Sequence, residues 1–205
     1  MDNFEFCNPT KIIFGRGTEA QVGKEAAVYS KKVLLHFGGG SIKSSGLYDR
    51  VIASLKAAGV EWVELGGVKP NPRLSLVHEG VKLCKAHGLG LVPAVGGGSV
   101  IDSAKAIAHG VANPETDIWD FWSKKAALTK TSRLGAVLTI SAAGSETSDS
   151  AVLTNDETTL KRGLNTDLQR PLFAIMDPEL TYTLPRYQVS CGVVDIMMHT
   201  LERYF

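Results

Sequence analysis

The chain has 205 residues and carries 22 lysines and arginines against 21 aspartates and glutamates, which gives a net charge of +1 at pH 7. This balance argues against a basic nucleic-acid-binding surface, and a content of 44% hydrophobic and 21% charged residues excludes an intrinsically disordered chain. No run approaches the ~18 apolar residues of a membrane helix, and the first residues lack the basic and apolar regions of a signal peptide. We therefore expect neither a nucleic acid nor a membrane as a partner.

Strand-like runs alternate with segments of helical spacing along most of the chain. Apolar and β-branched runs predict strands at residues 4–6, 11–14, 32–37, 60–65, 89–95, 134–140 and 172–176. The segments between them predict helices at residues 18–29, 41–58, 74–87 and 100–109. This alternation favours βαβ units on a parallel sheet that is covered on both faces. Residues 1–184 are therefore predicted to form one doubly wound α/β domain with a Rossmann-like sheet.

The pattern changes at Pro185. Residues 186–205 carry apolar side chains at helical spacing, namely Val189, Val193, Ile196, Met197, Leu201 and Tyr204. No glycine or proline caps this helix before Phe205. We therefore expect residues 185–205 to be the first helix of a second, helical domain whose remainder is absent from this sequence.

The three cysteines, Cys7, Cys84 and Cys191, are far apart and form no Cys-x-x-Cys pair. A disulfide framework or a cysteine-based zinc site is therefore not indicated, and buried, unreactive thiols are the simplest interpretation. Together with the missing signal peptide, this usage predicts a cytoplasmic protein.

Two tri-glycine turns each follow a predicted strand and open a predicted helix. The first corner (residues 38–41) reads Gly38-Gly39-Gly40-Ser41, and the second corner (residues 96–99) reads Gly96-Gly97-Gly98-Ser99. Glycines there would adopt positive φ and let the backbone approach a ligand, while the helix start offers N–H groups to a phosphate. Ser99 is further expected to be an N-cap. Neither corner matches the Gly-x-Gly-x-x-Gly motif. The alternative is that both are tight turns that bind no ligand, but the presence of two such corners at equivalent places makes this interpretation less favoured.

Asp195 and His199 are four residues apart in the predicted last helix. This spacing places a carboxylate and an imidazole on one face, as chelation of one divalent cation requires. A solvated or hydrogen-bonded pair without metal is the common alternative, although the apolar neighbours Ile196, Met197 and Met198 would make an unpartnered aspartate costly. Two ligands are also fewer than the three or four of a tight site.

A hydroxyl-rich loop follows the predicted strand at 134–140. This hydroxyl loop (residues 139–148) reads TISAAGSETS. Loops at the carboxyl ends of parallel strands bind ligands in such sheets, and an ordinary polar loop is the alternative. The aromatic segment 117–122 is explained more simply by packing or a subunit contact than by substrate stacking. The absence of Gly-x-Ser-x-Gly and His-Glu-x-x-His motifs leaves serine hydrolase and zinc peptidase activities without support.

Taken together, these motifs resemble the iron-containing (group III) alcohol dehydrogenase family, in particular its NADPH-using butanol dehydrogenase and aldehyde reductase branch. The resemblance runs from Phe4-Glu5-Phe6 and Lys11-Ile12-Ile13-Phe14-Gly15 through the first corner and Pro70-Asn71-Pro72. It continues with the second corner and the residues after it as far as Asp102, residues 139–146 and Asp177-Pro178-Glu179-Leu180, and ends at Asp195-x-x-x-His199. It implies an N-terminal dinucleotide-binding domain and a C-terminal helical domain, with cofactor and metal in the cleft between them. A homodimer is also expected.

The resemblance further implies a role for individual positions. The implied cofactor contacts are Gly97, Gly98 and Ser99 at the pyrophosphate with Asp102 nearby, Asn71, Thr139, Ser141 and Lys161 along the nucleotide cleft, and Leu180 at the adenosine. Asp195 and His199 would be two of four metal ligands, the other two being histidines later in the family's chain.

The activity implied by the resemblance is metal-assisted hydride transfer between NADP(H), or NAD(H), and a primary alcohol or aldehyde such as butanol or butanal. Fe(II) or Zn(II) would polarise the substrate oxygen as a Lewis acid. No side chain stands out as an obligatory proton shuttle. The alternatives are a glycerol-dehydrogenase-like enzyme, a dehydroquinate-synthase-like lyase, which would need a cluster of basic residues, and a non-catalytic nucleotide-binding fragment.

The first corner also predicts the choice of cofactor. Proteins selective for NAD usually place an aspartate or glutamate at the ribose 2′-hydroxyl, where it repels a 2′-phosphate. Residues 38–43 contain no acidic residue, while Ser41 offers a hydrogen-bond donor and Lys43 a positive charge. We therefore expect a preference for NADPH over NADH, and the alternative is that the 2′ position is recognised elsewhere.

Overall fold

In the computed structural model, which describes residue 3 and residues 5–205, the chain forms a six-stranded sheet with helices on both faces. The strands in chain order are β1 (Lys11–Phe14), β2 (Lys32–Phe37), β3 (Glu61–Leu65), β4 (Val92–Gly96), β5 (Leu134–Leu138), β6 (Ser150–Thr154), β7 (Lys161–Asn165) and β8 (Phe173–Met176). The helices are α1 (Val22–Tyr29), α2 (Ser41–Ser44), α3 (Leu47–Ala57), α4 (Leu74–His87), α5 (Gly98–Ala112), α6 (Ile118–Trp122) and α7 (Arg186–Tyr204). Short 3₁₀ helices lie at Thr18–Gln21, Asp167–Gln169 and Pro178–Thr181.

The six-stranded sheet has the order β1-β8-β5-β4-β2-β3, and its strand pairs are parallel. Successive side chains of β2 point to opposite faces, so that Leu34 belongs to one buried apolar cluster and Val33 and Leu35 to the other. Helices α4 and α5 cover the first face, and α1 and α3 cover the second. The predicted doubly wound α/β sheet is confirmed.

Local features differ from the sequence prediction in three places. The helix predicted over 41–58 is interrupted, because Gly46 takes a left-handed conformation (φ 71°) between α2 and α3. Residues 5–6 form no strand, and Phe4 lies outside the described residues. Strands β6 and β7 form a separate antiparallel hairpin. The prediction lacks this hairpin because β7 reads KRGLN, which has no alternation of apolar and polar side chains.

The aromatic segment 117–122 contributes α6 to the core. Phe121 and Trp122 are buried, and the Trp122 indole Nε1–H donates to the Ala151 carbonyl at 3.2 Å. Packing therefore accounts for these aromatic residues.

Helix α7 lies on the surface along its whole length. None of its residues is buried, and Val193, Ile196 and Met197 are 52%, 66% and 56% exposed. Within the described ranges, no helix is long and apolar enough to cross a membrane.

Candidate cofactor and metal site

The two glycine corners lie next to each other at the carboxyl edge of the sheet. The first corner follows β2 and the second follows β4, and these strands are neighbours. The chain runs from β2 to the edge strand β3 and then returns to β4 on the other side of β2, so the direction of strand order reverses between the two corners. In open α/β sheets, the crevice at such a reversal is where ligands bind.

The second corner is shaped by close packing. A Cβ atom at Gly97 would lie 2.5 Å from Ile140 Cγ2, and one at Gly98 would lie 3.2 Å from Ser145 Oγ. The glycines therefore allow the hydroxyl loop to lie directly against the start of α5. This helix of 15 residues brings its first-turn N–H groups and its positive dipole end to the same place.

Two expectations about the corners are wrong. None of the glycines at residues 38–40 and 96–98 has a φ in the left-handed region. At the second corner, glycine is needed instead because Ile140 and Ser145 of the hydroxyl loop lie too close for a side chain. Ser99 is not the N-cap of α5: the helix begins at Gly98, two residues before the start that a Ser99 cap would give, and Gly97 occupies the cap position without a side-chain hydrogen bond.

The first corner is open and basic. Gly39 and Gly40 are exposed, and a Cβ atom at either position would have no heavy atom within 4 Å. Lys43 Nζ lies 5.5 Å from the Phe37 ring centroid and 4.9 Å from the Tyr48 centroid, so its charge is held over these rings beside the corner. The corner thus has room for a ligand group and a cation next to it.

Three of the predicted residues line one cavity of about 330 Å³. Ser41 comes from the first corner, Thr139 follows β5, and Leu180 follows β8. The same cavity is lined by Arg50 of α3, whose Nε–H donates to Glu19 Oε1 at 2.7 Å. Arg50 was missed by sequence reasoning, and its 31-residue separation from Glu19 gives no local signal.

The cleft continues between the hydroxyl loop and α7. Ser141 and Asp195 line a cavity of about 470 Å³. Asp195 also lines an adjoining cavity of about 520 Å³ together with His199 and Arg203. Helix α7 therefore borders the same cleft as the loop that carries Ser141.

The Asp195 and His199 side chains lie on one face of α7. His199 Nε2 is 3.7 Å from Asp195 Oδ2, and the two side chains are 66% and 61% exposed. This pair fits the donor chemistry of a divalent metal, since carboxylate oxygen and imidazole nitrogen bind both zinc and ferrous iron. Among the described residues no cluster of three or more His, Cys, Asp or Glu side chains forms a metal-binding group. The described residues therefore bring together one carboxylate and one imidazole, which are fewer donors than the three or four of a tight metal site.

Asn71 and Lys161 adjoin the turn end of the β6–β7 hairpin, where residues 155–160 connect the two strands. Asn71 holds a left-handed backbone (φ 59°), unusual for a residue other than glycine, between Pro70 and Pro72. The Pro72 carbonyl accepts a hydrogen bond from Thr154 N–H at 2.9 Å, and Thr154 is the register partner of Lys161 across the hairpin. The structure thus places both residues beside Thr154.

Asp102 lies within α5, one turn past the second corner. Its Oδ2 accepts a hydrogen bond from Val152 N–H at 3.0 Å, while its buried Oδ1 has no protein partner. Burial is the main cause that raises the pKa of this carboxyl, and the Val152 hydrogen bond partly offsets it. Asp102 therefore connects the helix that starts at the second corner to the hairpin.

Comparison with known proteins gives a consistent family match. The model of the family described as iron-containing alcohol dehydrogenase matches residues 9–178. The chain is 49% identical over 205 residues to the probable NADH-dependent butanol dehydrogenase 2 of Bacillus subtilis, covering 100% of this chain and 52% of that protein. It is 39% identical over 206 residues to the NADPH-dependent aldehyde reductase YqhD of Escherichia coli, with the same coverage.

Solved structures of similar proteins also match this chain. The crystal structure of NADH-dependent butanol dehydrogenase A from Thermotoga maritima superposes with a TM-score of 0.93 at 50% identity, covering 98% of this chain and 51% of that one. The chain spans about half the length of the relatives that it matches.

Proposed function

The chain belongs to the iron-containing alcohol dehydrogenase family, and from that premise we propose that the protein transfers hydride between a nicotinamide cofactor and a primary alcohol or aldehyde such as butanol or butanal. The observation that carries this proposal is a cleft formed by two neighbouring cavities, both of which are lined by Ile140 and Leu184. It joins Ser41, Thr139 and Leu180 on the sheet side to Ser141 and Asp195 on the α7 side.

Each part of the cleft has a proposed task. The N–H groups at Gly97, Gly98 and Ser99 bind the pyrophosphate. Ser41 and its corner bind the adenosine ribose, and Leu180 packs against the adenosine. The remainder of the nucleotide cleft is lined by Asn71, Thr139, Ser141 and Lys161. Asp102 lies behind the second corner, one turn into α5. Close packing at Gly97 and Gly98 and the open space at Gly39 support this arrangement.

We propose that α7 is the first helix of a helical metal-binding domain that follows the α/β domain of residues 1–184. In that arrangement Asp195 and His199 supply two ligands to Fe(II) or Zn(II), which when bound would polarise the substrate oxygen. The exposed apolar side chains of α7 support a further layer of protein over this helix, because large apolar patches on a surface mark an interface.

The experiment that tests the activity is hydride transfer monitored at the nicotinamide absorbance. The chain is assayed with butanal and NADPH both alone and joined to the C-terminal half of the Thermotoga maritima relative. We expect turnover of butanal by the joined protein after loading with Fe(II) or Zn(II). Oxidation of glycerol when NAD⁺ or NADP⁺ is supplied, without reduction of butanal by NADPH, would indicate the glycerol-dehydrogenase-like alternative. Cofactor binding without any turnover would indicate the non-catalytic one.

The metal pair gives a separate prediction. Because the 205-residue chain offers two donors of a four-ligand set, we expect it to bind Zn(II) weakly, with the metal removed by a chelator. The joined protein should bind one equivalent tightly, and Asp195→Ala should abolish that tight site. Inductively coupled plasma mass spectrometry after dialysis measures both. Stoichiometric, chelator-resistant metal in the 205-residue chain would contradict the prediction.

We also propose that two copies pair through the edge of the sheet. Strand β1 lies at the edge, and its Ile12 and Phe14 side chains are 56% and 70% exposed, which is the kind of strand that pairs with another chain. Sedimentation velocity should show a dimer that Phe14→Lys converts to a monomer, while Leu160→Lys, a change at an exposed residue next to the separate β6–β7 hairpin, leaves the dimer intact. A monomer before substitution would refute this pairing.

The proposed compartment is the cytoplasm. Cys7, Cys84 and Cys191 are all free, as expected in a reducing environment. The expectation of buried thiols is correct for Cys84 and wrong for Cys7 and Cys191, which are exposed. Burial raises the pKa of the Cys84 thiol to about 12, which keeps it unreactive.

A further inference from the structure

Lys105 lies in the middle of α5 with its side chain fully buried. Its ammonium donates hydrogen bonds to the Ser150 carbonyl at 2.7 Å, the Ser148 carbonyl at 3.0 Å and the Ser148 hydroxyl at 3.3 Å. An ammonium has three hydrogens to donate, so these contacts satisfy it. Because a buried charge costs free energy even when it is satisfied, an apolar side chain would fill this position more cheaply. The position of Lys105 therefore requires an explanation other than core packing.

Lys105 acts together with Asp102, one helical turn earlier. The ammonium donates to backbone carbonyls of the segment 148–152, and the Asp102 carboxylate accepts from a backbone N–H of the same segment, that of Val152. The two side chains thus bind both kinds of backbone group along one stretch of chain. This fixes the stretch in a single register against α5.

The stretch held by Lys105 is the end of the hydroxyl loop. The loop begins at Thr139, whose N–H donates to the Gly96 carbonyl at 3.1 Å, and a turn in which Ser148 N–H donates to the Gly144 carbonyl at 3.0 Å lies near its end. Between these points Ser145 is buried against Gly98. A shift at Ser148 would therefore be transmitted to the second corner.

We propose that Lys105 is a positioning residue of the cofactor site. Its hydrogen bonds fix the end of the hydroxyl loop. This holds Thr139 and Ser141 along the nucleotide cleft and keeps Ser145 against the second corner. The inference rests on the proposed function only in naming a nicotinamide dinucleotide as the ligand of this cleft.

The titration of Lys105 offers a readout specific to this role. Burial lowers the pKa of Lys105 to about 8, while Asp102, Asp149 and Glu146 favour its charged form and Arg170 opposes it. Arg170 itself donates to the Thr147 carbonyl at 2.8 Å. A neutral amine has two hydrogens instead of three, so deprotonation loosens the loop. Cofactor binding should consequently weaken as the pH rises through 8.

The test measures NADPH binding to the 205-residue chain by fluorescence titration at pH 7 and pH 9. We expect Lys105→Met to bind about tenfold more weakly at pH 7, the equivalent of ~1.4 kcal/mol, and to lose the pH dependence that the unmodified chain shows. Ser148→Ala, which removes one acceptor, should weaken binding by a smaller factor. Lys85→Met, the same change at an exposed lysine of α4, serves as the matched control and should change nothing.

Hydrogen exchange of residues 141–148 gives a second measurement that needs no cofactor. We expect faster exchange there in Lys105→Met, and in Ser148→Ala if the first variant does not fold, with α1 and β2 unchanged. Folded Lys105→Met with unchanged exchange in the loop and binding within twofold of the unmodified chain would overturn the inference. If the unmodified chain binds no NADPH, the proposed function is at fault, and loop exchange alone then decides the role of Lys105.

Discussion

Replacing Gly39 by aspartate should shift the ratio of kcat/KM for NADPH and NADH toward NADH by at least about tenfold, a change of ~1.4 kcal/mol. A carboxylate at the open first corner would repel a 2′-phosphate and accept hydrogen bonds from a 2′-hydroxyl. The substitution is sterically allowed, since a Cβ atom at Gly39 meets nothing within 4 Å and its φ lies outside the left-handed region. The measurement is steady-state kinetics of the protein joined to a complete C-terminal half.

The matched control is Gly39→Asn, which has the same size without the charge. It should change the ratio of kcat/KM much less than aspartate does, because charge repulsion of the 2′-phosphate is expected to be a larger effect than the added size of the side chain. Equal kcat/KM for the two cofactors before substitution would contradict the proposed NADPH preference. Equal effects of aspartate and asparagine would show that the corner excludes the phosphate by size instead of charge. The relatives themselves carry NADH-dependent and NADPH-dependent names.

Replacing Gly23 by alanine should destabilise the fold by about 2 kcal/mol or more. A Cβ atom there would lie 2.0 Å from the Ser54 carbonyl oxygen, a backbone atom that no change of rotamer can move. Overpacking a tight core costs up to about 3 kcal/mol, whereas alanine gains about 1 kcal/mol over glycine within a helix, so the clash dominates. In a chain of this size the melting temperature should fall by about 4–8 °C. Chemical and thermal unfolding followed by circular dichroism measure the change.

Gly192→Ala is the control for this prediction. Gly192 also lies within a helix, α7, but a Cβ atom there has no neighbour within 4 Å. Helix propensity then acts alone, and the variant should be as stable as the original chain or slightly more stable. A Gly23→Ala protein that unfolds at the original temperature would show that α1 and α3 can separate without cost.

Most of the sheet follows from the sequence because its signals are local. Strands such as Leu134–Leu138 are continuous apolar runs, and the helix at 74–87 has both its apolar spacing and its bounds confirmed by the structure. The resemblance carried by the corners and the Asp195–His199 spacing likewise identified the family. Such features are legible because a strand, a turn or one face of a helix is specified by residues close together in the chain.

Tertiary structure decided which of these local features meet. Arg50 reaches the cleft through α3, Lys105 binds the hydroxyl loop 43 residues away at Ser148, and His36 is buried between Leu65 and Ser103. The packing requirement at Gly97 likewise comes from Ile140, far along the chain. These contacts depend on the order of strands in the sheet. A sequence pattern reports periodicity along the chain, whereas strand order is set by which apolar faces bury each other.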